Sequence, residues 1–470
     1  MKKHYVTHVE DTDKLISVAG PVLDYKSWYE QYRKLMEEQA QRKYGLYTST
    51  SEGDDDDFPS IPGMIARYSA LGLTNEQMAA NPVWVDKTGN GHDLQMKNFA
   101  WKEGSGISDI YPGALVFDGV DDYGACDNFP ILTKEKGYTV VALRQWITRG
   151  EIAQGLVSNV KNWLKDGAFL LEYRNIQADH LNKPISFGAI GSEMNLPHIL
   201  TYQTSKSYNG VSITTGNFEG TDVLHVGKLA PTNIGTCINA AIWELVFLDH
   251  DATEEELTKI KDYFVKTYPW LFPDQAWTIT GKTNEDEDRA TIANITGNGN
   301  NLVLSNFGFA EGSGYNEEGE YAGYLVTDGV DDKIVSSAFK MGKDFTIVGE
   351  WKFIIDENKG CGLVRVNKLY IYNSTTGLVI YINSNSIKNT LSGIKGLNAV
   401  CSNGRIYDCN WNEISIKYGD MIDIGDIFAI AFSGKNFTQM AFKNLAIYPT
   451  VLSKDDCIKA YNYLQTLKAK

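Results

Sequence analysis

The chain is poor in cysteine and has no long apolar run, and each shortage removes a class of protein. Its six cysteines (Cys126, Cys237, Cys361, Cys401, Cys409 and Cys457) are scattered, form no CxxC pair and have no histidine at zinc-like spacing. A disulfide framework and a structural zinc site are therefore set aside, and reduced thiols are expected, with Cys401 and Cys409 the only close pair in sequence. No stretch approaches the roughly 18 apolar residues of a spanning helix. The first ten residues carry two lysines but no apolar core of a signal peptide, which argues against Sec-dependent export. Basic residues are outnumbered 44 to 59, for a net charge of −15. Phosphate backbones and anionic lipids are repelled by such a surface, so neither nucleic acid nor membrane is an expected partner. GxSxG, HExxH and P-loop signatures are absent and the seven histidines are dispersed, so neither an enzyme nor a cofactor is expected.

What is present is a globular composition, 43% hydrophobic and 12% aromatic, in 470 residues. That length exceeds the roughly 250–300 residues at which a single core stops growing. An internal repeat supplies the division. Gly89-Asn90-Gly91-His92-Asp93-Leu94 returns 208 residues later as Gly297-Asn298-Gly299-Asn300-Asn301-Leu302, and Glu103-Gly104-Ser105-Gly106 as Glu311-Gly312-Ser313-Gly314. Leu115-Val116-Phe117-Asp118-Gly119-Val120-Asp121-Asp122 returns as Leu325-Val326-Thr327-Asp328-Gly329-Val330-Asp331-Asp332, and Trp243-Glu244-Leu245-Val246-Phe247-Leu248 as Lys443-Asn444-Leu445-Ala446-Ile447-Tyr448. Two units follow, residues 59–273 and 274–470, each large enough to bury a core of its own.

Within each unit the pattern is mainly β. Phe345, Ile347, Gly349, Trp351 and Phe353 alternate with Thr346, Val348, Glu350 and Lys352, the period of a strand buried mainly on one face. Leu369-Tyr370-Ile371-Tyr372 and Leu378-Val379-Ile380-Tyr381-Ile382 flank five turn-type residues and predict a hairpin. A helix closes each unit: Thr253 with Glu256 forms a capping box ahead of Leu257, Ile260 and Phe264, and Ser453 with Asp456 precedes Ile458, Tyr461 and Leu464. Each stripe is expected to pack on its own sandwich.

Residues 1–58 differ. Tyr25, Trp28, Tyr29, Tyr32, Leu35 and Met36 recur every three or four residues on a segment that stops at Gly45, which predicts an amphipathic helix. Behind it, residues 48–57 are Ser/Thr-rich and end in four aspartates, the composition of a solvated linker. The stripe of Tyr25, Trp28, Tyr32, Leu35 and Met36 either docks on the first sandwich or serves assembly with another chain, and the long tether favours assembly.

The repeated elements, in this order and spacing, resemble the concanavalin A-like lectin/glucanase superfamily in its LamG-like branch, from about Pro59 onward. The resemblance implies two tandem jelly-roll β-sandwiches with short closing helices behind the helical N-terminal segment. The second copy is looser, with Thr327 for Phe117, Lys333 for Tyr123 and Asn300 for His92. The stretch from Ile61-Pro62-Gly63 through Asn81-Pro82-Val83-Trp84-Val85-Asp86 is similar to modules of virion proteins of tailed phages of gut bacteria, including the crAss-like group. This implies a virion structural protein, assembled in the host cytoplasm, that displays lectin-like domains to glycans or proteins. The alternatives are a bacterial glycan-binding protein and, third, a glucanase-type hydrolase. Glucanases of this superfamily carry a Glu-x-Asp-x-x-Glu strand motif that sets two carboxylates on one face, and the sequence has none. Glu285, Asp286, Glu287 and Asp288 cluster among polar residues, as in a solvated loop.

The Asp118/Asp121/Asp122 and Asp328/Asp331/Asp332 sets offer oxygens to calcium, but a tight turn in which Gly119 and Gly329 take unusual backbone angles is the favoured reading, and no metal is expected. Sugar binding needs exposed aromatic faces. Trp163, in a polar loop-like segment, is the best such position, followed by Trp146, Tyr370 and Tyr372; Trp351 is expected to be buried.

Overall fold

The computed structural model describes residues 57–469 except 133–136, 149–153, 160–168, 174–184, 189–197, 204–206, 209–210, 213–220, 229–236, 337–338, 340, 355–360, 367–368, 375–376, 383–395, 416–427, 431, 434–435 and 438, and in some strands only the backbone. The Tyr25, Trp28, Tyr32, Leu35 and Met36 stripe lies outside the described residues.

Alternation of apolar side chains makes strands, and the strands assemble into two β-sandwiches in tandem. In the first, one sheet runs Val211–Ser212, Ser207–Tyr208, His198–Gln203, Thr139–Trp146, Asn239–Leu248, Ala114–Asp118, Gly106–Ser108, with Met64–Ser69 also on the Asn239–Leu248 strand. The facing sheet runs Ile185–Gly188, Phe169–Tyr173, Gln154–Ser158, Leu224–Val226, Tyr123–Cys126, Leu94–Lys97, Val83–Trp84. The second repeat rebuilds this plan around its central strands Met440–Tyr448 and Thr346–Phe353, with Gln275–Thr278 in the place of Met64–Ser69. Among the described strands only Ile185–Gly188 and Phe169–Tyr173 pair in parallel, and no sheet mixes strands of the two repeats.

Each sandwich has its own interior. Leu115, Phe117, Val140, Leu245 and Phe247 meet Leu94, Leu156 and Val226 in the first, and Ile347, Trp351, Phe442 and Leu445 meet Leu302 and Ile334 in the second. The central strands are nevertheless buried on both faces. Along Asn239–Leu248, Ala240 and Ile242 line the interior; a register shift between Ile242 and Glu244 then inserts one residue, and Leu245 and Phe247 take over. Such a bulge reverses the parity of a strand, so Ala241, Trp243, Val246 and Leu248 emerge on the other face. Met440–Tyr448 does the same: Met440 and Phe442 before its shift, Leu445 and Ile447 after it.

Three α-helices occur among the described residues; the first, Asn75–Ala80, buries Met78 in the first interior, and the other two cover those outer faces. Helix α1 (Asn75–Ala80) starts at a Thr74/Gln77 capping box, α2 (Glu254–Thr267) at Thr253/Glu256, and α3 (Lys454–Leu464) at Ser453, whose side chain accepts from the Asp456 N–H. Helices α2 and α3, with the 3-10 turn Pro269–Leu271, bury a third apolar cluster that joins Val141, Leu143, Trp243 and Trp270 of the first repeat to Val348, Ala399, Ala446 and Tyr448 of the second. Residues 58–470 accordingly form one compact unit.

Three expectations are corrected. The Phe345–Phe353 alternation marks a strand buried on one face only in its second half, where Glu350 is half-buried and Lys352 exposed; Thr346 and Val348 are fully buried because this third core covers the second face there. The closing helices do not serve their own sandwiches alone; in α3 the buried residues are Cys457, Ala460, Tyr463 and Leu464, with Ile458 and Tyr461 half-buried, and Lys459 lies 4.1 Å from the Trp270 ring of the first repeat. In the predicted hairpin, Leu369–Ser374 pairs with Gly377–Ile382 down to Ser374 opposite Gly377, leaving a two-residue connection instead of five.

Candidate functional site

The repeated glycine motifs are explained by what their backbones must accommodate. Gly106 and Gly314 have φ of 146° and 158°, and a Cβ on either would lie 2.3 and 2.5 Å from the amide oxygens of Asn75 and Asn284. Those asparagines brace the adjacent strand from both sides: Asn75 accepts from Ile107 N and donates to Ile107 O, both at 2.8 Å, and Asn284 does the same to Tyr315.

The two aspartate triplets each bring three carboxylate oxygens within 4.8 Å of one another, a spacing a hard cation can use. One oxygen each of Asp118, Asp122, Asp328 and Asp332 serves the turn. Asp118 Oδ1 accepts from Val120 N at 2.7 Å and Asp121 N at 3.3 Å, while Asp122 Oδ2 accepts from Asp118 N at 3.1 Å. Asp328 repeats the first two bonds at 2.7 and 3.3 Å, and Asp332 the third at 2.7 Å. Asn98 and Asn306, both at left-handed φ (68° and 69°), tie the Asp121 and Asp331 carbonyls at 3.0 Å. Burial pushes the carboxyls of Asp122 and Asp332 up to about 6 in both cases.

The acidic run near the start of the second repeat is likewise a braced turn. Asp286 accepts from Thr283 N and Thr283 Oγ1 at 2.9 and 3.0 Å, which holds its carboxyl below the usual range, and Asp288 pairs with Lys282 at 2.6 Å.

A groove of about 340 Å³ opens at the end of the first sandwich, where the Met64–Ser69 strand begins. It sets the polar Asn90, His92 and Asp249 beside the apolar Met64, Ile65, Ile131 and Leu132. The GNGHDL loop is held there by its own bonds: Asn90 Nδ2 donates to Ile65 O at 2.8 Å, and the Tyr68 hydroxyl donates to His92 O. The His92 ring packs edge-on against Phe129 at 5.6 Å, with its Nδ1 buried and unpaired, and Ile131 is 60% exposed. This pairing of an amide, an imidazole and a carboxylate with apolar side chains suits a small polar ligand with hydrophobic patches.

Of the aromatic positions singled out in the sequence, Trp146 is corrected. It is 1% exposed and belongs to the interior of the first sandwich, because its strand is central in a sheet covered on both sides; it has no face free for stacking. Trp163 lies outside the described residues. Tyr370 and Tyr372 sit on the Leu369–Ser374 strand, with side chains outside the described part. Trp351 is buried, as expected. The groove was missed although the GNGHDL motif that builds it stood out, since the residues it approaches, Ile131 and Asp249, are distant in sequence.

Fold and site together define a mainly β protein of two sandwiches in tandem. No protein-family model matches the chain. No curated protein matches it either. Solved structures similar to parts of it include a Trypanosoma rangeli sialidase in complex with sialic acid (10% identity, TM-score 0.28, covering 48% of this chain and 40% of that one). A mutant of that sialidase displaying trans-sialidase activity is similar at 10% identity and TM-score 0.31, over 59% of this chain and 49% of that one. A third is the structure described as HCR/D-Sa-GBL1/C, at 16% identity and TM-score 0.30, over 41% of this chain and 52% of that one. The chain thus spans about half or less of the length of each of these.

Proposed function

We propose that the chain is a non-catalytic recognition protein of the concanavalin A-like class, LamG-like branch, that displays its two sandwiches as one block for contact with glycans or proteins. Following the resemblance of its opening stretch, it does so as a structural component of a tailed-phage virion: a head fibre, a capsid decoration or a tail fibre. Residues 1–58 serve as the handle to other virion proteins or to a second copy. The observation that carries the recognition role is the first-repeat groove, of a size that fits one or two sugar rings, with Asn90, His92 and Asp249 beside exposed Ile131. Two further features support it. Oxygens of Asp118, Asp122, Asp286 and Asp332 are engaged by backbone N–H groups of their own turns, and the net charge of −15 favours neutral ligands over anionic ones.

The test is the full chain on an array of bacterial surface polysaccharides beside His92→Asn, which copies Asn300 of the second repeat. Binding that falls at least tenfold in the variant supports the groove; no binding, or equal binding, overturns it. Mass spectrometry of purified particles tests the virion part, and glycan binding by a chain absent from particles leaves the bacterial reading.

A further inference from the structure

The thiol that Cys401 meets is not that of Cys409, its neighbour in sequence, but that of Cys457. Cys401 ends the Gly396–Cys401 strand opposite Thr346, and Cys457 lies in the first turn of α3, its N–H donating to Ser453 O at 2.9 Å. Both are fully buried in the third core, and their thiols are hydrogen bonded to each other. Neighbouring bonds hold the two backbones in place. Thr346 Oγ1 donates to Thr450 O at 2.8 Å and accepts from Leu452 N at 2.9 Å, so the segment leading into α3 is pinned to the strand beside Cys401. Cys409, by contrast, is exposed.

We infer that Cys401 and Cys457 are a disulfide-forming pair which, on oxidation, staples the C-terminal helix to the sheet beneath it. A bond between side chains already in contact, one on a strand and one on a pinned helix, needs little backbone movement. With hydrogen peroxide as oxidant, the thiolate of one cysteine of the pair attacks one peroxide oxygen, forming a sulfenic acid and releasing hydroxide, which takes up the proton that thiol gave up. The sulfur of the other cysteine then attacks the sulfenic sulfur, its proton leaving with the departing hydroxyl as a second water. Two thiols lose two electrons in total and peroxide becomes two waters. Burial limits access to small oxidants arriving as the helix breathes, so bulky reagents are expected to find Cys409 first.

Because α3 also touches the first repeat through Lys459 and Trp270, closing the bond stiffens the junction of the two repeats as well as the second repeat itself. The test uses the full chain with Cys409→Ser, treated with dilute hydrogen peroxide and then digested without reduction. The expected result is the loss of two hydrogens in mass, a Cys401–Cys457 cross-linked peptide, and a melting temperature raised by several degrees and restored by dithiothreitol. Cys457→Ala should abolish both the cross-link and the shift. A cross-link to another cysteine, sulfinic acid at Cys401 in place of a cross-link, or a cross-link that leaves melting unchanged would overturn the inference, and the peptide map decides this on the chain itself even if Cys457→Ala fails to fold.

Discussion

The two repeats make the same hydrogen bonds with different chemistry. Asp86 Oδ1 accepts from Thr88 N at 3.0 Å in the first, and Asn294 Oδ1 from Thr296 N at 3.0 Å in the second. Asp93 accepts from Asp86 N at 2.8 Å where Asn301 accepts from Asn294 N at 2.9 Å. The Tyr68 hydroxyl reaches His92 O where the Trp277 indole reaches Asn300 O. At each of these points the turn needs an sp² oxygen or a main-chain carbonyl at a fixed place, and an amide serves as well as a carboxylate. Asp118 and Asp328 are aspartate in both repeats and make the same two bonds, one oxygen accepting from two N–H groups.

The repeats part company where the first strand of each, Met64–Ser69 and Gln275–Thr278, pairs with the central strand. In the first, Arg67 and Glu244, 3% and 0% exposed, form a bidentate pair at 3.1 Å; the Tyr263 hydroxyl accepts from Arg67 at 2.9 Å and the Tyr268 hydroxyl donates to Glu244 at 2.7 Å. Phe58 lies against the guanidinium at 4.0 Å. Burial pushes the Glu244 carboxyl up, and the grip of Arg67 opposes that push. In the second repeat the equivalent positions are Ala276 and Asn444, and Asn444 instead accepts from Glu350 N at 3.1 Å and donates to Leu464 O at 3.5 Å. A buried ion pair is weak evidence of stability in itself, but breaking one strands a charge. Arg67→Ala alone should destabilise the protein by about 3–5 kcal/mol, whereas Arg67→Ala with Glu244→Asn, which copies the second repeat, should recover at least half of that in denaturant titrations. If the double variant is as unstable as the single one, the packing of Arg67 on Phe58 and Tyr263, and not its charge, is what the first repeat requires.

A smaller effect tests whether the repeats act as one unit. The Tyr448 hydroxyl of the second repeat donates to Trp270 O of the first at 2.9 Å inside the shared core. Tyr448→Phe should cost about 1 kcal/mol and, if the third core couples the repeats, should lower a single calorimetric transition. Separation into two transitions with only the second shifted would mean that the repeats melt independently.

How much of this was legible in the sequence follows from the range of each interaction. Capping boxes, Asx-type turns and the alternation of Phe345, Ile347 and Trp351 are local, and they were readable at Thr253/Glu256, Asp118 and Asp328. The capping signal of α1 at Thr74 and Gln77 was equally local but had no apolar run behind it to draw attention. The third core was hidden because Val141, Val348 and Ala446 look like any strand residue until a bulge shows which face they take. Arg67 and Glu244 lie 177 residues apart, and nothing in either segment announces the other. Proximity in sequence misled at Cys401 and Cys409, since tertiary packing brought Cys457 there instead.

The smallest expected effect concerns the feature the repeats share most closely. Asp122 and Asp332 are 0% and 1% exposed, and burial raises their carboxyls from an ordinary 3.8 to about 6. An acid whose folded-state value lies above its unfolded one is protonated more readily in the folded protein, so its contribution to stability is fully present below about pH 4 and is lost as pH rises through about 6. At neutral pH both turns therefore carry a desolvated charge at some cost. The double variant Asp122→Asn, Asp332→Asn keeps an oxygen for the Asp118 and Asp328 N–H groups without that charge. It should melt at or above the parent temperature at pH 7, and its advantage should shrink steadily toward pH 5. Other carboxyls act in the opposite direction: Glu256 and Asp286, held low mainly by Thr253 and Thr283, lose stabilisation as pH falls. They are common to both proteins and cancel in the difference, so a gap that stays constant from pH 7 to 5 would show that the buried turn carboxyls do not titrate in that range and would overturn their placement near 6.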